Sequence, residues 1–345
     1  MTDIDLRHIG IDYVGSFVNI RTINVDKLPI AQTIESELVH EVQIGERRRR
    51  FKLEQSIYQG AHGVVEAVSV EDHSHDHDHE KTPEILFRKV PIDGNSLECE
   101  ALFQYAAYHV LKKYGLKHSV ARVRDIYRDP RVGCAAVFTM IPFLNIELLS
   151  DTLENRDLTD SDIVSIIAQV AIIIYILDQE LDMNHRDLKT TNVLVAAEEA
   201  EFDVNYNGLV VSVNSGPAIK LVDFGFACSG NGRRTLVNAG NFFPMSDPCP
   251  KTGRDLFQLL TTMYLCTRFQ ATIDKSLQLS TLFQNWLTVP NNDYLAFLKT
   301  IGTQSIDWVY LMLGSDKFFA PSCQPITILR DLSAYFPAIV SISGN

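Results

Sequence analysis

Two short motifs in the middle of this chain constrain its fold and chemistry more than any other feature. The first is the run HRDLKTTN from His185 to Asn192, which is followed by an apolar pair. The second is the triplet DFG at residues 223–225, which begins 31 residues after Asn192. A lone Asp or Asn in a loop is usually a turn former or a helix cap. Both motifs in this order, each between apolar residues, are hard to obtain by chance and indicate one functional site.

The two motifs resemble the catalytic loop and the metal-binding triplet of the eukaryotic-type protein kinases. The resemblance covers residues 51 to about 336 and is most specific between residues 163 and 260. It implies an α+β protein with a bilobal protein-kinase fold, which has a small β-rich N-lobe and a larger helical C-lobe. The implied domains are an N-terminal extension at 1–50, an N-lobe at 51–141 and a C-lobe at 142–345.

The resemblance also implies a role for each polar residue of the motifs. Asp187 would orient the substrate hydroxyl and accept its proton, while Lys189 would neutralise the transferred γ-phosphate. Asn192 and Asp223 would hold Mg²⁺ at the phosphates of ATP. A lysine two residues after the aspartate is more similar to serine/threonine kinases than to tyrosine kinases. ATP and Mg²⁺ are therefore the expected cofactors, and a protein hydroxyl is the expected acceptor.

The glycine-rich loop of the family is matched only in part. The turn after a predicted strand at 51–58 keeps Gly60, Gly63 and Val65, but Tyr58 stands in place of the first glycine. Glycines at such a turn let backbone N–H groups approach the phosphates without obstruction from side chains. The turn is therefore expected to bind the nucleotide.

Lys89 lies near the end of a predicted strand at 84–90 and resembles the lysine that binds the α- and β-phosphates. That lysine needs a carboxylate partner on the following helix. Glu100 is the first choice, because apolar residues then fall on a neighbouring inward stripe of the helix, and Glu98 is the alternative. Phe87 stands where the family has a small residue above the adenine, so it would narrow the pocket or rotate the base.

The remaining nucleotide contacts are expected from the strand and hinge that follow. Met140 is the expected gatekeeper, residues 141–144 are the expected hinge, and Leu194 would pack under the adenine ring. Each of these is also compatible with ordinary core packing. Asp255, at the start of a predicted buried helix, is expected to accept hydrogen bonds from the backbone of the catalytic loop.

Several segments outside these motifs have their own signals. Residues 198–218 contain Asn-Gly between β-forming residues and predict a hairpin, similar to haspin-like kinases and some kinases of large DNA viruses. The histidine-rich tract at 71–80 predicts a solvated loop with opportunistic metal binding. Residues 31–42 suggest an amphipathic helix. The arginines at 47–50 favour a solvated charge run over a nucleic-acid patch.

Composition narrows the possible partners. A formal net charge of −12 argues against non-specific nucleic-acid binding and is compatible with a basic protein substrate. The six cysteines are scattered without a C-x-x-C pair, which predicts reduced thiols. The apolar run at 163–177 is short for a membrane span and predicts a buried helix instead. No signal-peptide pattern begins the chain, so an intracellular, cytoplasmic protein without a membrane partner is expected.

Three functions are compatible with these patterns. The leading prediction is an active serine/threonine protein kinase, because Lys89, Asp187, Asn192 and Asp223 are all present. A pseudokinase that acts as a binding or scaffold module is the alternative, because the first loop glycine and an A-P-E motif are missing. A small-molecule kinase shares the spacing of the catalytic loop, but the arginine and lysine around Asp187 fit protein kinases better.

Overall fold

The structure is a computed structural model that describes residues 12–14, 17–19, 28–34, 39–44, 47–60, 63–73, 83–92, 96–199, 201–214, 216–229, 236–237, 250–287 and 320–344. It divides into two compact units, Met1–Ala106 with Ala121–Phe143, and Ala107–Val120 with Leu144–Asn345. The first unit is built mainly from strands, and the second contains most of the helices. This confirms the expected α+β class, with a β-rich N-terminal part and a helical C-terminal part.

The elements of the N-terminal part are nine strands and one helix among the described residues. They are β1 (Asp12–Val14), β2 (Phe17–Asn19), β3 (Gln32–Thr33), β4 (Val39–Ile44), β5 (Arg47–Gln59), β6 (Gly63–His73), β7 (Glu84–Pro91), α1 (Glu98–Lys113), β8 (Val123–Asp129) and β9 (Ala135–Met140). The last seven strands form one antiparallel sheet in the order β3-β4-β5-β6-β7-β9-β8, and β1 pairs with β2 separately.

The prediction of a helix at residues 31–42 is wrong, because this segment supplies strands β3 and β4 to the sheet. His40 and Val42 are fully buried while Gln43 is exposed, which is the two-residue alternation of a strand. The sheet therefore extends well before residue 51, where the resemblance to the kinase family begins.

The arginine run at 47–50 lies inside β5, so its expected role as a solvated segment before a strand is wrong. Successive side chains of a strand point to opposite faces. Arg48 is exposed and pairs with Glu41 at 3.0 Å. Arg49 is 4% exposed and forms a buried ion pair with Asp125 of β8. One arginine of the run is thus a core residue.

The histidine-rich tract at 71–80 begins within a strand. Residues 71–73 belong to β6 and pair with 48–50 of β5, so this part is not a loop. The rest of the tract, with its expected metal binding, lies outside the described residues.

Helix α1 covers one face of the sheet. Leu97, Leu102 and Tyr105 pack with Val123 and Phe138 in a buried apolar cluster. Paired residues of neighbouring strands share a face, and Lys89 pairs with Phe138. The register therefore places Lys89 on the face of the sheet that packs against α1.

The second unit has six helices and nine strands among its described residues. They are β10 (Ile146–Leu148), α2 (Leu149–Asn155), α3 (Asp160–Leu181), β11 (Met183–Asn184), β12 (Val193–Glu199), β13 (Phe202–Tyr206), β14 (Leu209–Val213), β15 (Pro217–Leu221), β16 (Cys228–Ser229), β17 (Leu236–Val237), α4 (Arg254–Tyr264), α5 (Thr267–Ile273), α6 (Leu277–Leu287), α7 (Pro325–Tyr335) and β18 (Val340–Ser343). Its strands form three-stranded sheets in the orders β10-β12-β15, β11-β16-β17 and β13-β14-β18.

Helix α3 is the buried helix expected from the apolar run at 163–177. By length and composition alone it could cross a membrane, but 78% of its most apolar window is buried inside the protein. A capping box between Thr159 and Asp162 defines its start. Gln169 in its interior accepts a hydrogen bond from the Ile219 backbone N–H at 3.1 Å and donates to the Pro217 carbonyl at 2.8 Å. The helix thereby holds β15, the strand that leads to the DFG triplet.

The hairpin predicted within 198–218 is present as β13 and β14, which pair from Phe202↔Val213 to Tyr206↔Leu209. Asn207 and Gly208 at its turn have φ of 51° and 91°, the left-handed values that a tight hairpin turn requires. The C-terminal strand β18 adds to β14 as a third strand, and no pattern in the sequence predicted this pairing.

The expectation of reduced cysteines is wrong for Cys228, which is disulfide-bonded. The other cysteines of the described residues are free: Cys99, Cys134, Cys266 and Cys323. Disulfide pairing depends on which segments fold against each other, and spacing along the chain did not indicate it.

Replacing Arg49 with Met should lower the free energy of unfolding by about 3–5 kcal/mol, because it removes the cation that is bonded to the buried Asp125 carboxylate. The same change at Arg48, the exposed neighbour in the strand, should cost less than about 1 kcal/mol. Urea unfolding followed by circular dichroism measures both variants. Equal losses for the two arginines would contradict the buried ion pair.

Candidate active site

In the first unit, Lys89 and Glu100 form a buried ion pair. The lysine Nζ lies 2.6 Å from the Glu100 Oε1, and the two residues are 8% and 2% exposed. Lys89 comes near the end of β7, and Glu100 sits in the first turn of α1. Of the two carboxylates weighed from the sequence, Glu100 rather than Glu98 is therefore the partner. The pair fixes an ammonium group on the face of the sheet covered by α1.

The glycine turn joins β5 to β6 beside this lysine. Gly60 donates its N–H to the carbonyl of Gly63 at 2.9 Å. A Cβ at Gly63 would lie 3.3 Å from the Lys89 Cε, so a larger residue would press on the lysine. Val65 pairs in register with Lys89, and Tyr58 at the other end of the turn is 60% exposed. Gly63 and Val65 thus lie on the strand next to Lys89, as their order in the sequence suggests.

Phe87 and Met140 are register partners on β7 and β9, so they lie side by side on one face of the sheet. Gln104 of α1 donates its Nε2 to the Ala121 carbonyl at 3.0 Å and to the Met140 Sδ at 3.5 Å. The sequence reasoning missed Gln104. Its only signal was a polar residue within the buried stretch of a predicted helix, one turn after Glu100.

In the second unit, the catalytic-loop residues converge on one carboxylate. Asn192 donates its Nδ2 to the Asp187 Oδ2 at 2.9 Å and to the Asp187 carbonyl at 2.8 Å. The Lys189 Nζ lies 3.0 Å from the same Oδ2. Asp187 is 2% exposed, and these three residues are the ones that the motif predicted to act together. The result is a buried anionic acceptor that is fixed by an amide and an ammonium group.

Asp255 holds the backbone that presents Asp187. Its two carboxylate oxygens accept hydrogen bonds from the N–H groups of His185 at 2.7 Å and Arg186 at 2.9 Å. The predicted bonds from the loop backbone to Asp255 are confirmed. Arg186 adopts a φ of 66°, a left-handed conformation that is costly for a side chain of its size. The carboxylate therefore stabilises a strained turn directly before Asp187.

Asp223 and Asn192 lie on two segments that are bonded together. The N–H of Val222 donates to the Asn192 carbonyl at 3.1 Å, and the His185 Nε2 lies 3.0 Å from the Val222 carbonyl. The His185 ring also contacts the Phe224 ring, with centroids 4.8 Å apart. Asp223 itself has a φ of 65°. The residues that follow β15 and the catalytic loop are thus held together by hydrogen bonds.

The donor set suits a hard divalent cation. Carboxylate and amide oxygens such as those of Asp223 and Asn192 are ligands that Mg²⁺ prefers, and Mg²⁺ commonly takes its other ligands from water and phosphate. The part of the chain that the structure describes contains no group of three or more His, Cys, Asp or Glu side chains that could hold a metal alone. The residues present fit Mg²⁺ bound together with a phosphate ligand.

Leu194, expected under the adenine ring, lies in the second unit on β12. It is half-buried, and it pairs with Leu148 on one side and Lys220 on the other. Residues 238–249, where an A-P-E motif would fall, lie outside the described residues.

A cavity of about 190 Å³ opens beside Asp255, between α3, α4 and α7. Asp178 of α3 lines it, and no motif had indicated this residue. Burial, opposed by a hydrogen bond from Gln179 and reinforced by the charges of Asp255 and Asp182, raises the pKa of Asp178 to about 6. A titratable carboxyl therefore adjoins the residue that holds the catalytic loop.

Comparison with known proteins gives a distant similarity. No family model matches this chain, and no curated protein matches it. A solved structure, "Structure of vaccinia related kinase 3", is similar in fold, with a TM-score of 0.46 and 12% identity over 89% of this chain and 92% of that chain.

Replacing Asp178 with Asn should stabilise the protein above pH 6. The folded-state pKa of Asp178 is raised from 3.8 to about 6, so wild-type protein loses stability as the pH rises from about 4 to 6. At pH 7.5 the variant should gain about 1–3 kcal/mol, since one pKa unit is worth about 1.36 kcal/mol. Urea unfolding across this pH range tests the expectation.

Asp151→Asn on the exposed side of α2 is the matched control and should leave the pH dependence unchanged. If the free energy of unfolding of Asp178→Asn changed with pH between 4 and 6 in the same way as that of wild type, the raised pKa of Asp178 would be contradicted.

Proposed function

We propose that this chain is an ATP-dependent protein kinase that transfers the γ-phosphate of Mg-ATP to serine or threonine hydroxyls of a protein. One observation carries the proposal. The Asp187 carboxylate is bonded at once by the Asn192 amide and the Lys189 ammonium, at 2.9 and 3.0 Å. Phosphoryl transfer requires a proton acceptor, a ligand for the metal and a cation that neutralises the phosphate. These three residues bring the three groups together at one point.

In this mechanism, Asp187 accepts the proton of the substrate hydroxyl. Lys189, on the same carboxylate oxygen as Asn192, supplies positive charge for the phosphoryl oxygens as the bond to the leaving group breaks. Asn192 and Asp223 would hold Mg²⁺, which supplies charge neutralisation to the phosphates when bound. Asp255 keeps the loop rigid, so little reorganisation is needed at the moment of transfer.

The first unit would bind the nucleotide. Lys89 is held extended by Glu100 and would bind the α- and β-phosphates, with the glycine turn at Gly60 and Gly63 covering them. Met140 would border the base, and Leu194 is proposed to pack against the adenine ring, as the resemblance to protein kinases implies. Each assignment follows the resemblance to protein kinases, and the buried Lys89–Glu100 pair supports it most directly.

The preference for serine or threonine rests on Lys189, which follows Asp187 by two residues as in that class of kinase. The net charge of −12 favours a basic protein as the acceptor over an acidic one.

A binding module without phosphotransfer is the second candidate, and one observation favours it. The Tyr58 ring lies 3.1 Å from the position of a Cβ at Gly60, so it leans over the turn where phosphates would approach. Binding of ATP to the folded state raises the melting temperature by mass action, so thermal shift addresses this candidate directly.

Wild-type protein with Mg-ATP should transfer labelled γ-phosphate to serine or threonine of a generic basic protein. Asp187→Asn should lower the rate by at least about a thousandfold, or about 4 kcal/mol of transition-state stabilisation. The same variant should keep the ATP-induced thermal shift, because Asp187 acts on the hydroxyl. Lys89→Met should lose both transfer and shift, and Asp223→Ala should lose transfer and the Mg²⁺-dependent part of the shift.

Asp203→Asn on the exposed edge of β13 is the control and should behave as wild type. Equal transfer by wild type and Asp187→Asn would exclude the mechanism. An absent thermal shift and absent label in folded wild-type protein would exclude the kinase and favour the binding module instead. Label on a small alcohol but on no protein would indicate a small-molecule kinase.

A further inference from the structure

We propose that Gln104 is a positioning residue, which holds helix α1 so that Glu100 reaches Lys89 and which fixes Met140 through the same amide. The inference rests on the proposed function, because it concerns the nucleotide site of that reaction. It adds a residue that no kinase motif in this chain marks.

Gln104 is a polar residue in an apolar and fully packed part of α1. It is 3% exposed, and its neighbours in the helix are 0–3% exposed: Ala101, Leu102, Phe103, Tyr105 and Ala106. Burying an amide is costly unless its hydrogen bonds are replaced. An apolar side chain of similar length would fill the same space at no such cost, so the amide itself has a role there.

The amide joins the ends of two neighbouring strands. Its Nε2 donates to the carbonyl of Ala121, just before β8, at 3.0 Å, and reaches the Met140 Sδ at the end of β9 at 3.5 Å. Val123 and Met140 are register partners, and Ile141 donates its N–H to the Arg122 carbonyl, so these strand ends are already bonded together. Methionine is a flexible side chain, and a donor at its sulfur restricts where it can lie.

Glu100 and Gln104 are one helical turn apart and therefore lie on the same face of α1. Glu100 attaches this face to β7 through Lys89, whereas Gln104 attaches it to β8 and β9. Two polar contacts to different strands oppose both rotation of the helix about its axis and sliding along it.

A third attachment lies at the start of the helix. Leu97 donates its N–H to the Ala136 carbonyl at 3.0 Å, and the Ala136 N–H donates to the Ser96 Oγ at 2.9 Å. These bonds fix the entry of the chain into α1 against β9. The segment from 96 to 104, which carries Glu100, is thus attached to the sheet at both ends.

The test variant is Gln104→Met, which keeps the length of the side chain and removes its amide. Gln270→Met is the matched control, because Gln270 donates a similar bond to the Tyr264 carbonyl at 2.7 Å within the second unit. Three quantities are measured: amide hydrogen exchange of residues 97–106 in nucleotide-free protein, kcat and KM for ATP, and the same constants on a Glu100→Gln background.

Gln104→Met should speed exchange of residues 97–106 at least about tenfold and raise KM for ATP about fivefold to tenfold, with kcat within about threefold of wild type. A lost hydrogen bond of ordinary strength corresponds to changes of this size. On the Glu100→Gln background the further change in KM should be less than about twofold, because both residues act through one ion pair. Gln270→Met should leave all three quantities unchanged.

The proposal would be overturned if Gln104→Met showed the hydrogen exchange and the KM of wild type. It would also be overturned if the substitution raised KM equally in the wild-type and Glu100→Gln proteins, since an effect of simple packing would be additive. If folded wild-type protein transfers no phosphate, the proposed function fails, and the exchange of residues 97–106 alone decides the role of Gln104.

If Gln104→Met does not fold, Gln104→Glu replaces it in the exchange measurement. Its carboxyl has the shape of the amide and can donate to the Ala121 carbonyl only when protonated. Relative to wild type, exchange of residues 97–106 should then be faster at pH 8 than at pH 5. A pH-independent ratio would overturn the proposal.

Discussion

The hydrogen bonds from two backbone N–H groups to Asp255 are the interaction on which the chemistry of the second unit depends. Those N–H groups belong to His185 and Arg186, and the latter is held in a left-handed conformation. Such a conformation persists only where its surroundings over-determine it. Because α4 begins at residue 254, Asp255 extends from the rigid first turn of a buried helix. Removing that carboxylate would release both the strain and the position of Asp187.

In the first unit, side-chain contacts rather than backbone hydrogen bonds hold the functional residue, Lys89, in position. The side chain of a lysine on a strand can adopt many rotamers. The position of the Lys89 ammonium group therefore depends on helix α1, which carries its partner Glu100. The helix depends in turn on its attachments to the sheet, where Glu100 contacts β7 and Gln104 contacts Met140 of β9 and the Ala121 carbonyl before β8. Buried polar contacts are directional, unlike the apolar packing of Leu102 and Tyr105 around them. The apolar cluster stabilises the helix, and the polar contacts select its orientation.

The parts that the sequence predicted correctly are those with local or motif-encoded signals. The turn at Asn207-Gly208, the buried helix α3 and the bonds to Asp255 belong to this group. The parts that it missed depend on pairing between distant segments. Arg49 and Asp125 are 76 residues apart, so a run of arginines could not reveal which one enters the core. Strands β3 and β4 were misread because a short alternating segment between turns also fits a helical period.

Asp178 is a residue at which the arrangement around Asp255 lowers the stability of the folded protein. Burial is the main reason why the pKa of Asp178 is raised, and the charge of Asp255, whose carboxylate accepts the two backbone bonds, is a further one. A neutral residue at position 178 would remove this repulsion without touching the catalytic loop. Proteins keep such local penalties when total stability stays above what function needs. The penalty at Asp178 therefore arises first from burial of its own carboxylate and then from the fixed charge of Asp255, which lines the same cavity.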